Sequence, residues 1–193
     1  LAVNSDGSLI AIAFPDFSMS LFTPSGRSLG RVTSTTGSFD FLAFGTSGHL
    51  AGSTDSRLTI WTTDPGPKEA LRYDLDLHGE QLDLAIDPGT GSILMLDSSG
   101  SVTSFSTDGS TLPSRRAVAM GQLVSGSFDP AGGGMLAIEP STMYVVDLAT
   151  NELRTPSMPL PVPNVPYVLG PGGAFIAHGT PIGDVALIPL EPP

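Results

Sequence analysis

The 193 residues carry 19 acidic against eight basic side chains, a formal charge of −11, together with 23 Gly, 18 Pro and no Cys. That balance opposes a phosphate-neutralising surface, which argues against nucleic acid as the principal ligand and against adhesion to an anionic membrane; the missing thiols exclude disulfides and thiolate metal sites. Gly and Pro make up about a fifth of the chain while 40% is hydrophobic, so the composition describes a packed fold of many short elements joined by turns, not long helices and not disorder.

No run approaches the roughly 18–20 apolar residues that span a bilayer, and no charged-then-apolar N-terminal signal is present. The compartment stays open, with the cytoplasm favoured over secretion. The chain opens at Leu1 without a Met, which leads us to expect a processed product or part of something longer.

Short strands are expected from the first residues onward. LAVN, SLIAIAF, MSLFT and RSLGRV form a first group of four. The second group is the clearest: Phe39–Phe44, His49–Ser53, Leu58–Thr62 and Ala70–Leu75, parted by Thr46-Ser47-Gly48, Thr54-Asp55-Ser56 and Asp64-Pro65-Gly66-Pro67. These runs are too short for helices and rich in aromatic and β-branched residues, and the clusters between them carry turn chemistry. A third group reads QLDLAID, SILMLD, SVTSFS and a strand near Ala117–Met120; a fourth reads LVSGSFD, GMLAIE, TMYVVDL and ELRTPSM. The last comprises only PYVLG, AFIAHG and DVALIPL.

Two markers recur with one period. Turn glycines at Gly7, Gly48, Gly91, Gly134 and Gly173 lie 41, 43, 43 and 39 residues apart, and third-strand residues Phe22, Trp61, Phe105, Val146 and Ile188 lie 39, 44, 41 and 42 apart. A four-stranded unit of about 40–45 residues is the pattern of a propeller blade. The second and third strands, such as Leu9–Phe14, Ile93–Leu96 and Met143–Val146, are nearly continuous apolar runs, which predicts burial on both faces and favours stacked sheets over a two-layer sandwich. The expected fold is therefore all-β: a β-propeller over residues 1–193, with four-stranded antiparallel blades near 1–36, 37–78, 79–121, 122–163 and 164–193. Because the chain starts on a first strand and stops after a third, no spare strand is left to complete the fifth unit. A segment of a larger, seven-bladed ring is expected alongside the alternative of a self-closing five-bladed one.

GSTDSRLTIW (Gly52–Trp61) resembles the Gly-Ser-x-Asp…Ile-Trp segment of the WD-repeat family, with Asp55 in the turn and Trp61 on the third strand. HGEQLDLAIDPGTGSILMLD resembles the start of that family's next repeat, with His78 at its His position. Thr62 follows Trp61 where the family has Asp, and no single unit carries the full His-Ser-Asp-Trp set. The resemblance implies structural roles for Asp55, Trp61 and His78, and use as an interaction scaffold within a multi-protein assembly.

Asp40 and Asp83 each lie eight residues before a turn glycine, so they occupy equivalent first-strand positions and would meet at one end of a central channel. They are the candidate ligands of a cation or polar molecule, to which Glu139 could add; the alternative is a solvated channel wall, since hard cations want more oxygens than two carboxylates supply. His49 and His178 lack ligand neighbours at metal spacing. There is no Gly-x-Ser-x-Gly elbow, and Gly132-Gly133-Gly134 lacks the following Lys-Ser/Thr of a phosphate loop. No cofactor is assigned. Trp61 reads as core, with a partner anchor as its rival, and Arg115-Arg116 reads as a solvated pair. The proline-spaced Arg154–Pro171 reads as a rigid connector between units, with a polyproline ligand as the alternative. The function expected is a non-catalytic protein–protein interaction scaffold, binding protein partners through loop faces and the open edge of the last blade. The rival is a propeller enzyme or ligand-binding protein with its site in the channel.

Overall fold

A computed structural model describes residues 1–45, 48–76, 79–118, 121–155, 157–162, 165–180 and 182–190. The fold is all-β and propeller-like: successive antiparallel sheets, each built from consecutive strands. The first sheet holds β1 (Ala2–Val3), β2 (Ile10–Ala13), β3 (Ser18–Phe22) and β4 (Ser28–Thr33), and the second β5 (Phe41–Phe44), β6 (His49–Thr54), β7 (Arg57–Thr62) and β8 (Lys68–Asp74). The third holds β9 (Gln81–Ile86), β10 (Ile93–Asp97), β11 (Ser101–Phe105) and β12 (Ser114–Ala117). The fourth holds β13 (Ser125–Phe128), β14 (Gly134–Ile138), β15 (Thr142–Asp147) and β16 (Met158–Pro159). A three-stranded fifth sheet holds β17 (Tyr167–Leu169), β18 (Phe175–Gly179) and β19 (Val185–Pro189). Among the described residues the one helical element is a 3-10 turn at Pro171–Gly173, and no helix is long and apolar enough to cross a membrane.

Phe22, Trp61, Phe105, Val146 and Ile188 all fall on the third strand of their sheets. Gly7, Gly48 and Gly91 have the positive φ that their turns require, a conformation that costs any other residue. In the fourth sheet that conformation belongs to Gly132 and Gly133, while Gly134 opens β14. The ladders β3–β4 and β7–β8 each skip one residue of the outer strand, Leu29 and Ala70 respectively. Such a bulge adds twist where the sheet splays outward.

Two outer strands depart from expectation. In the third sheet the fourth strand is Ser114–Ala117, exposed along its length, not Ala117–Met120, of which Ala119 and Met120 lie outside the described residues. In the fourth sheet Leu153 makes only an isolated bridge to Val146, and the paired strand is Met158–Pro159 rather than the whole of ELRTPSM.

The chain groups into two compact units. One comprises Leu1–Leu77, Leu84–Leu94 and Ser104–Pro113; the other comprises His78–Asp83, Met95–Thr103 and Ser114–Pro193. In the first unit, cross-strand pairs on one face of each sheet meet: Ala11 and Leu21 from the first sheet, Leu50 and Trp61 from the second, with Met19 and Phe39 completing the buried cluster. The backbones come close at Gly66, where a Cβ would sit 2.6 Å from the Leu29 carbonyl oxygen. Only glycine fits there. The second sheet's other face carries Leu71 against Gly109, and Tyr73, which packs on Phe105 at 5.2 Å and donates to the Ser106 carbonyl at 2.9 Å.

In the second unit, the pairs Leu136–Val145 and Ile138–Met143 of the fourth sheet pack on Tyr167, Leu169 and Ile176 of the fifth. Hydrogen bonds bind the two sheets: Leu169 N–H donates to Ser127 Oγ at 3.0 Å, and Gly172 N–H to Asp129 Oδ1 at 2.9 Å. Every residue of β14 is buried, as its unbroken apolar sequence predicts. Met158, Leu160 and Val165 pack against this same core, so the described part of the proline-spaced segment is a packed connector.

The β15 exit is fastened by Asp147. Its carboxylate accepts the Thr150 N–H at 2.9 Å and the Ala149 N–H at 2.8 Å, and takes Arg154 Nε and Nη2 at 3.0 and 2.8 Å. The Thr150 amide and then the Arg154 side chain lead in holding this carboxyl down to about 2. A depressed folded-state value means that the stabilisation is fully present above the unfolded carboxyl's ordinary range and is lost as pH falls through about 2. Thermal melts of wild type and Asp147→Asn should therefore differ by roughly 1–2 kcal/mol at pH 6, and the difference should close between about pH 4 and pH 2. A pH-independent difference would contradict this assignment.

Candidate functional site

A pocket in the first unit grows from the alternation in RLTIW. A strand sends every second side chain to the same face, so Leu58 and Ile60 are buried on one face of β7 while Arg57, Thr59 and Trp61 share the other. The β7–β8 register sets Arg57 against Asp74, Thr59 against Arg72 and, after the skipped Ala70, Trp61 against Glu69. The Val32–Thr36 segment and Phe39 wall this face, enclosing about 290 Å³. The floor is aromatic, with Trp61 edge-on to Phe39 at 5.6 Å and 75°, and the sides are rich in hydroxyls.

The charges at its rim are unequally held. Arg72 Nη2 contacts Glu69 Oε2 at 2.6 Å. Arg57 reaches Asp74 Oδ1 and Thr35 Oγ1 only at 3.4 Å each. Sequence reasoning missed this pocket, because it depends on a register and a bulge that no local pattern announces.

Trp61 is 4% exposed and sits in the core cluster, at the floor of the pocket. Asp55 occupies the exposed β6–β7 turn. Burial and, secondarily, the Asp55 charge push the Asp40 carboxyl above its ordinary value, so the acid beside Asp40 is Asp55. Asp83 is engaged by the backbone: its Oδ2 accepts the Phe128 N–H at 2.7 Å, tying β9 to β13. Glu139 accepts Tyr144 Oη at 3.0 Å. Among the described residues no group of three or more His, Asp or Glu could hold a metal ion. His178 is buried, stacked on Tyr167 at 5.1 Å with Nδ1 2.8 Å from the Gly179 carbonyl oxygen, and His49 opens β6. His78 lies outside the described residues.

A second polar centre also went unseen. Asp97, 1% exposed, accepts Ser99 N–H at 2.9 Å, Ser101 N–H at 3.3 Å, the Ser99 hydroxyl and, at 2.8 Å, Arg115 Nη2. Arg115 thus anchors Asp97 from an exposed strand, where its sequence setting suggests a solvated loop. Arg31 makes the same kind of contact to Asp16 in the first sheet, again from outer strand to the turn between second and third strands. This pattern of outer arginine and turn acid was the available signal.

No protein-family model matches the chain, and no curated protein is significantly similar to it.

A different surface stands out in the second unit. Val168, Ala177 and Leu187 lie directly opposite one another across the fifth sheet, on the face turned away from the fourth. Val168 is 53% exposed, Val185 72% and Leu187 61%. The bonded pairs Thr180–Asp184 and Ala174–Leu190 fix the alternation of the β18–β19 ladder, so the N–H and C=O groups of Val185 and Leu187 point away from β18. Pro189, in the same outward set, has no N–H to offer, as is usual on an edge strand.

Proposed function

We propose that this chain is a non-catalytic protein–protein interaction module, a propeller-like scaffold of WD-repeat type that docks a partner through the fifth sheet. The observation that carries the reading is β19: a row of outward backbone groups beside a contiguous apolar face. In β15, the third strand of the fourth sheet, the corresponding positions Met143 and Val145 are buried. Faces of this composition are covered elsewhere in the molecule by another sheet, and an open edge accepts a strand by main-chain pairing, with alternate side chains giving specificity. The occupant is a β-strand of a partner protein, the first strand of a further sheet laid on Val168 and Leu187. With a charge of −11 the chain favours a partner presenting basic residues around that strand.

Size-exclusion light scattering tests the surface with the chain as its own surrogate partner. The wild type should self-associate as concentration rises, more so in high salt where its charge is screened. Val185→Lys/Leu187→Lys should stay monomeric with an unchanged melt, because both side chains are already exposed and lysine blocks edge pairing. A wild type that stays monomeric at every concentration and salt, or a double variant that associates equally, would contradict the assignment.

A further inference from the structure

We propose that the pocket between the first and second sheets binds a small oxyanion, a carboxylate or phosphate group gripped by the Arg57 guanidinium over the Trp61 floor. Arginine presents five donors in a rigid fork matched to such groups. Three other arginines in the molecule hold their acids at 2.6 to 2.8 Å: Arg72 on Glu69, Arg115 on Asp97 and Arg154 on Asp147. Among the described residues the Arg57 side chain makes two hydrogen-bond contacts, both at 3.4 Å, beyond the usual 2.7–3.2 Å of N–H···O bonds, although it is only 26% exposed. Its donors are held out of bulk water and poorly used.

The acid opposite, Asp74, is 87% exposed and can turn into solvent at little cost, leaving the fork to an incoming anion. The local charge fits. Two arginines and one glutamate line the pocket of a chain whose acids outnumber its bases more than twofold. Thr35 and Thr59 offer hydroxyls to the oxygens that the guanidinium does not reach, and Phe39 and Trp61 offer an apolar wall to whatever carries the anion. At about 290 Å³ the space is at the small end for ligand pockets, which run from about 300 Å³ upward, so it suits a group of a few heavy atoms. This site is independent of the fifth-sheet edge.

Trp61 is the chain's single tryptophan, so its fluorescence reports the pocket without labelling. The experiment titrates the full chain at constant ionic strength with sodium butyrate, with inorganic phosphate and with uncharged butyramide. We expect a saturable change in emission with at least one anion and none with butyramide. Saturation with butyrate assigns a carboxylate on an apolar body, and saturation with phosphate alone assigns a phosphoryl group. Arg57→Gln should weaken binding about tenfold or more, as expected for loss of a charge-assisted contact. Arg57→Lys, which keeps the charge beside Asp74 but not the fork, should weaken it less. Asp74→Asn, a change at an exposed side chain that leaves the fold intact, should tighten it about two- to fivefold by removing the competing carboxylate. Emission unresponsive to both anions, butyramide acting like butyrate, or Asp74→Asn and Arg57→Lys both titrating like the wild type would overturn the proposal.

Discussion

Replacing Trp61 with alanine should lower the unfolding free energy by about 3–5 kcal/mol, the range for deleting a buried aromatic side chain. The ring belongs to the core that joins the first two sheets: it faces Leu50 across the β6–β7 ladder and meets Phe39 edge-on at 5.6 Å. Gly52 makes room for it, since a Cβ there would lie 2.9 Å from Trp61 Cζ3. One feature moderates the loss. The vacated volume would open onto the adjoining pocket, where water can enter, so a value near the lower end is expected. Trp61→Phe should cost less, because an aromatic edge contact to Phe39 survives. Urea unfolding decides the matter, and a Trp61→Ala loss below about 1 kcal/mol would remove Trp61 from the core and return it to the surface role that its side-chain type also permits.

Asp97→Ala should cost about 3–5 kcal/mol, the loss typical of breaking a buried ion pair from one side. Four donors converge on this nearly inaccessible carboxylate, and alanine would leave the Ser99 and Ser101 amides without their acceptor. Arg115→Ala should cost less, about 1–2 kcal/mol, because Asp97 then keeps its serine partners. The two losses should not add: the double variant should be no worse than Asp97→Ala by more than about 0.5 kcal/mol, since both remove one interaction. A strictly additive result, or an Asp97→Ala melt indistinguishable from wild type, would show that the network does not fasten the third sheet.

The parts of this fold that were legible in the sequence are those whose physics is local. SILMLD and GMLAIE announce inner strands because burial on both faces demands unbroken apolar runs, and Gly7, Gly48 and Gly91 announce turns because positive φ excludes most other residues. Outer strands were read poorly for the complementary reason. Ser114–Ala117 is exposed at every position, so nothing apolar marks it, and the nearby AVAM run drew the assignment a few residues too late.

The partners of the candidate site residues were hidden by distance in sequence. Spacing alone made Asp40 and Asp83 equivalents; the neighbours the structure gives them, Asp55 for the Asp40 carboxyl and the Phe128 amide for Asp83, come from the β5–β6 pairing and from contact between the third and fourth sheets. Arg115 and Asp97 are 18 residues apart and meet because β12 pairs beside β11, while the pocket at Arg57 depends on the skipped Ala70.

Residue-resolved amide hydrogen exchange along β19 tests the central claim, an open edge strand ready to take a partner, most directly. Ala186, Ile188 and Leu190 direct their N–H groups to β18 and should exchange slowly, whereas Val185 and Leu187 direct theirs outward and should exchange fast in the isolated chain. Slow exchange at Val185 and Leu187 in a monomeric sample would mean that the edge is already covered. Fast exchange at all five positions would mean that β19 is not held in the sheet. Either pattern would contradict the docking surface described here.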